Sequence, residues 1–175
     1  ELDTYFDGEV YNNVEFYVNS DGHCFFHSIV YGMKGIGENL YANGIEFREK
    51  FCDYILGILE KPSYIDAEDV DYIVDMCQYD NSFSFHRDWE QEEKVEEIIK
   101  HFKEFKSSKR FNYDCHRSLL YYFYNIDLCI YTNFAEFGYM QYERTSEILD
   151  KLEKNYTRYN IPIKTLNLYY HQCDN

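Results

Sequence analysis

Proline is nearly missing from this chain, at two in 175 residues, and glycine is scarce at eight. Those counts exclude collagen-like, linker-like and low-complexity polymers, which depend on one or both residues. No apolar run approaches the roughly 20 residues that a membrane-spanning helix needs, and no basic-then-apolar stretch opens the chain as a secretory signal would. Basic residues are also short: 17 Lys and Arg stand against 32 Asp and Glu, a formal charge of −15. So acidic a surface repels nucleic acid and anionic membranes and fits a basic or mixed-charge protein partner better. The six cysteines, at 24, 52, 77, 115, 129 and 173, include no CxxC pair. Most lie in apolar patterns, where a free thiol behaves as a small hydrophobe. A reducing, cytoplasmic compartment is therefore expected rather than a disulfide-stapled secreted domain. Because the chain begins at Glu1, it is expected to be a fragment of a longer protein, with any targeting signals elsewhere.

What is abundant is aromatic. Twenty Tyr and 14 Phe predict a core built largely of rings, and the length suits a single domain over residues 1–175, with no internal repeat or compositional break. Alternation at Val14, Phe16 and Val18 predicts an extended segment feeding a turn at Asp21-Gly22. Apolar residues then recur at helical spacing: Phe26, Ile29, Val30 and Met33; Phe47, Phe51, Ile55 and Ile58; Val70, Ile73, Val74 and Cys77 behind an N-cap at Asp66. The clearest stripe runs through Val95, Ile98, Ile99, Phe102 and Phe105, with Glu and Lys on the opposite face. A polar loop over 78–86 precedes it. A shorter helix over 114–124 leads into a strand at 126–131, a helical turn or two follows over 146–154, and a last strand over 161–170 closes the chain. Helices mixed with few strands make the fold class α+β.

Chemistry concentrates at Ser20-Asp21-Gly22-His23-Cys24. Asp-Gly is a strong turn signal, and the apolar periodicity begins just after Cys24. The thiol is thus expected at a helix N-terminus, where unpaired amides and the helix dipole favour an anion such as a thiolate. A cysteine nucleophile also needs a base. Of six histidines, His86 falls in a polar loop, His101 in a charged helix, His116 beside an N-cap, His27 one turn past Cys24, and His23 next to Cys24 on a turn, where neighbouring side chains diverge. His171, at a strand end far along the chain, is the free candidate. Neither His23-Cys24-His27 nor His171-Cys173 has the spacing of a zinc knuckle, so no metal is expected.

The segment Asp21-Gly22-His23-Cys24-Phe25-Phe26-His27-Ser28 resembles the Asp-Gly-x-Cys-apolar-Phe-(Arg/His)-(Ala/Ser) signature of the ovarian tumour (OTU) family of cysteine proteases, which are deubiquitinases. The late strand ending at Tyr170-His171, and the helix-to-strand unit from Leu119 to Tyr131, are similar to that family in order. The resemblance implies a papain-like fold, a small central β-sheet flanked by helices, and no cofactor. It implies Cys24 as nucleophile and His171 as general base, with Asp21 and its neighbours shaping a loop whose amides, with that of Cys24, form an oxyanion hole. The substrate implied is ubiquitin or polyubiquitin, or a ubiquitin-like modifier, joined to lysine by an isopeptide bond. Many relatives carry Asp or Asn two residues after the histidine, where this chain has Cys173. The base would then be oriented by Asp174, by Asn175, or by an acid ahead of the cysteine such as Asp7 or Asn19, or else by nothing, leaving a Cys-His dyad. That departure keeps two further readings open: a catalytically impaired ubiquitin-binding domain, and a papain-like peptidase with another substrate. An acidic domain suits the arginine-bearing tail of ubiquitin, through the Glu92–Glu97 face or through tyrosine anchors.

Overall fold

The structure, a computed structural model, describes residues 2–6, 9–13, 18, 21–61, 67–81, 83–108, 114–132, 141–151 and 162–170. Among them are six helices and five strands, an α and β mixture. In order they are β1 (Leu2–Phe6), β2 (Glu9–Asn13), α1 (Cys24–Gly35), α2 (Gly44–Glu60), α3 (Ala67–Tyr79), α4 (Gln91–Ser107), α5 (Asp114–Tyr124), β3 (Ile126–Thr132), β4 (Gln141–Arg144), α6 (Thr145–Lys151) and β5 (Lys164–Tyr170).

The helices follow the apolar periodicity. On α1 the buried residues are Phe26, Ile29, Val30 and Met33, the i, i+3, i+4, i+7 set that one helix face produces. Asn43 starts α2 by accepting the Glu46 amide at 3.0 Å, an N-cap bond that satisfies one of the orphan donors of the first turn. Helix α4 opens with a reciprocal capping box between Glu90 and Glu93 and buries Ile98, Phe102 and Phe105, while its Glu and Lys face stays in solvent. The three faces meet in a ring cluster. Phe26 lies 5.7 Å from Phe47, 5.8 Å from Phe51 and 6.0 Å from Phe105, centroid to centroid, each ring pair edge-on or tilted. Such pairs add about 0.5–1.5 kcal/mol each beyond the area they bury.

The main sheet has the order β4-β3-β5, with β4 antiparallel and β5 parallel to the central β3. Asn125, in the left-handed region at φ 54°, makes the corner from α5 into β3, a conformation Asn tolerates better than most residues. Its carbonyl accepts the Lys164 amide at 2.8 Å, which sets the register of β5. On β5, Leu166 and Leu168 are buried while Thr165 and Asn167 are exposed, so the strand shows one face to the helices. Asp127 on β3 is 1% exposed and accepts from Arg144 Nε at 2.7 Å and from the Ser146 amide at 3.2 Å. This pair ties β4 and α6 to the central strand.

Three expectations change. Earlier in the chain, β1 and β2 form an antiparallel hairpin; of the expected extended segment, Val14 and Phe16 lie outside the described residues, as does the N-cap at Asp66, and Val18 is in no strand. Helix α3 runs to Tyr79, two residues into the predicted loop. Strand β4 was not foreseen, because four residues of polar, charged sequence carry no alternation to read. The last strand starts at Lys164, not 161. Among the described residues no helix is long and apolar enough to cross a membrane.

Candidate active site

Cys24 is the first residue of α1, and the half-buried thiol is free. The turn that delivers it depends on Gly22, whose φ of 84° is costly for any residue with a Cβ. Asp21 closes the turn: its Oδ1 accepts the His23 amide at 2.8 Å and its Oδ2 faces His27 Nε2 at 3.3 Å. The His23 amide, with a smaller contribution from His27, holds the Asp21 carboxyl below its ordinary range against the upward push of burial. Asp21 is therefore an acceptor that shapes the turn.

The peptide planes on either side of His23 have defined directions. The carbonyl of Gly22 accepts from Arg48 Nη1 at 2.9 Å, and the carbonyl of His23 accepts the His27 amide at 2.9 Å as the first helical bond. The Cys24 amide belongs to the same peptide as the His23 carbonyl and so points out of the helix start. His23, the N-cap, makes no side-chain capping bond and the first turn carries no acidic residue. Amide donors at the start of α1 thus face outward beside the thiol, the arrangement that stabilises negative charge at a helix N-terminus.

His27 connects this turn to α2. Its Nδ1 accepts the Gly44 amide at 3.1 Å, so the ring proton sits on Nε2, facing Asp21. Gly44 is required by contact as well: a Cβ there would lie 2.2 Å from the His27 nitrogen and 2.6 Å from the Phe26 carbonyl carbon. The starts of α1 and α2 are pressed together backbone to backbone.

Strand β5 runs antiparallel to α1. Leu166 packs on Gly32, where a Cβ would meet it at 3.4 Å, and Lys164 Nζ pairs with Glu38 Oε2 at 2.6 Å.

Of the residues singled out in the sequence, Cys24 and Asp21 stand together on this turn. His171, Cys173, Asp174, Asn175, Asp7 and Asn19 lie outside the described residues. Two residues of the site go beyond the sequence expectation. His27 lies one turn past Cys24, and that spacing is what lets it reach Asp21. Arg48 carries a signal in the sequence: it falls on the buried stripe of α2 between Phe47 and Phe51, where a charge is rare without a purpose.

A separate cleft of about 270 Å³ opens between α3, α5, β4 and α6, lined by Asp80, Asp114, Cys115, Glu143 and Arg144 among others, and Cys24 takes no part in it. Burial raises Asp114 above its ordinary range, and the neighbouring Asp80 charge adds to the shift. Among the described residues no group of three His, Cys, Asp or Glu side chains is arranged to hold a metal ion.

Comparison of the chain with protein-family models, with curated proteins and with solved structures found no match.

Proposed function

We propose that this chain is a cysteine protease of the OTU type, with a papain-like arrangement, that hydrolyses the isopeptide bond between the C-terminus of ubiquitin and a lysine. The observation that carries the reading is the Cys24 turn itself: a free thiol sits at the first residue of a helix, its own amide turned outward. Strand β5, which packs on that helix at Gly32, ends one residue before His171 in the chain. The acidic charge of −15 supports a substrate tail rich in arginine.

In the mechanism, Cys24 Sγ attacks the carbonyl carbon of the terminal glycine of ubiquitin while the His171 imidazole takes the thiol proton. The resulting tetrahedral oxyanion is met by the Cys24 amide and its neighbours; one such donor commonly contributes about 3 kcal/mol to the transition state. As the tetrahedral species collapses, the carbon–nitrogen bond breaks and protonated His171 delivers its proton to the departing lysine amine. A thioester remains. Water then attacks it, His171 accepts a proton from the water, and Cys24 leaves as the thiol with the ubiquitin carboxylate released. Asp174 is the proposed orienting group for His171. The site of action is a reducing compartment, which keeps Cys24 as a thiol.

The test is hydrolysis of di-ubiquitin. The unmodified chain should release mono-ubiquitin, and Cys24→Ala and His171→Ala should each release less than about one part in a thousand of that rate. Cleavage that survives Cys24→Ala would remove the assignment. Binding of di-ubiquitin without cleavage would point instead to a ubiquitin-binding domain. A panel of differently linked di-ubiquitins would identify the preferred linkage.

A further inference from the structure

We propose that Arg48 is a positioning residue that locks the oxyanion-binding turn, an inference that rests on the reading of the chain as a thiol protease. The peptide between Gly22 and His23 is held at both ends: its carbonyl accepts from Arg48 Nη1 at 2.9 Å, and its N–H donates to Asp21 Oδ1 at 2.8 Å. Without such a clamp this peptide is the weak point of the turn. Gly22 sits at φ 84°, and glycine crosses between backbone regions at little cost, so rotation of the peptide plane is opposed by few steric terms. Rotation would swing a carbonyl oxygen outward, just ahead of Cys24, and set like charge against an oxyanion.

Arg48 is well anchored for that duty. It is 1% exposed. Its Nε donates to the Phe105 carbonyl at 2.9 Å, Nη2 donates to the same carbonyl and to Ser108 Oγ at 3.3 Å, and the guanidinium lies 3.8 Å from the centroid of the Phe105 ring. The end of α4 thus fixes one edge of the guanidinium, and the other edge grips the turn. Nη1 also faces His23 Nδ1 at 3.3 Å.

The charge has a second consequence. Among the described residues the polar partners of Arg48 are two carbonyls, one hydroxyl and one imidazole, and none is a carboxylate. No carboxylate touches it, although the Asp21 carboxylate on the same turn lies within its electrostatic reach, and the charge stands directly behind the turn where negative charge would develop on the substrate. A buried cation so placed acts more strongly there than it would in water. Lysine cannot reproduce the arrangement, because one ammonium cannot span both the Phe105 and the Gly22 carbonyls as a planar fork does.

The experiment measures kcat and KM on ubiquitin joined at its C-terminus to a fluorogenic coumarin amine, for the unmodified chain, Arg48→Lys and Arg48→Met. Each variant is first checked for a cooperative thermal melt. The expected result is a fall in kcat of about 100- to 1,000-fold with KM within threefold, Arg48→Lys recovering less than tenfold over Arg48→Met. A folded variant with kcat within threefold of the unmodified chain overturns the proposal, as does a rise in KM alone. If neither variant folds, Arg48 serves the core and not the turn, and the proposal falls. If the unmodified chain itself is inactive, the protease reading fails first and takes this inference with it.

Discussion

The backbone amide of Gly44 donates to Nδ1 of His27 at 3.1 Å, joining the first residue of α2 to the helix that carries Cys24. The contact leaves no room for a side chain, since a Cβ on Gly44 would lie 2.2 Å from the His27 backbone nitrogen. Real Cβ atoms do not come so close, so the starts of the two helices must shift relative to each other, at the turn that carries Cys24.

Gly44→Ala is therefore expected to destabilise the chain by about 1–3 kcal/mol, the usual range for overpacking, and to lower activity further than that loss of stability explains. Gly57 is the control. It lies inside α2 with nothing within 4 Å of a Cβ placed on it, so Gly57→Ala should stabilise by about 0.5–1 kcal/mol through helix propensity alone. Urea denaturation of both variants checks the pair. Equal effects of one sign would contradict the packing at the start of the two helices.

The pH dependence of stability should show a histidine component. His116 is 0% exposed and faces His101 Nε2 to Nε2 at 3.2 Å, so the two nitrogens share a single proton. Burial first, and the neighbouring His101 and Arg48 charges next, push its pKa well down. A histidine whose folded pKa lies below its unfolded value of about 6.5 contributes stability that is complete above that value. That stability is lost as the pH falls below it, because the unfolded chain takes up the proton first. The expected slope is about 1.4 kcal/mol per pH unit below pH 6.5. Asp21 adds a lower window: its carboxyl is held down by the His23 amide, so its contribution is present above about pH 4 and lost as the pH falls further. Melting temperatures from pH 8 to pH 3 test both, and His116→Gln should flatten the profile between pH 6.5 and 5. An unchanged slope in that variant would contradict the assignment.

How much was legible in the sequence differs by element for physical reasons. Helix α5 matched its expected bounds, and the buried residues of α1, α2 and α4 include the apolar stripes read from the sequence, with Val95 and Ile99 half-buried, because a buried face repeats with the helical period and tolerates few exceptions. Strand β5 alternates for the same reason, whereas β3 is buried on both faces from Ile126 to Cys129. Strand β4 was illegible, because what holds it is the Asp127–Arg144 pair, a contact between residues 17 apart with no local periodicity. The site divides along the same line. Cys24 and Asp21 could be read because turn and helix-start signals are local. Arg48 could not be assigned a role, since its partner Phe105 is 57 residues away. The partnership of His27 with Gly44 likewise exists only once α2 packs on α1.

The central claim is that Cys24 is a nucleophile presented to the C-terminus of ubiquitin. The measurement that tests it most directly is covalent capture by a ubiquitin carrying a C-terminal electrophile, with the modified residue located by peptide mass spectrometry. The account predicts a single adduct on Cys24, slowed in Arg48→Met and abolished in Cys24→Ala. An adduct that persists in Cys24→Ala, or no adduct on the unmodified chain, would contradict it.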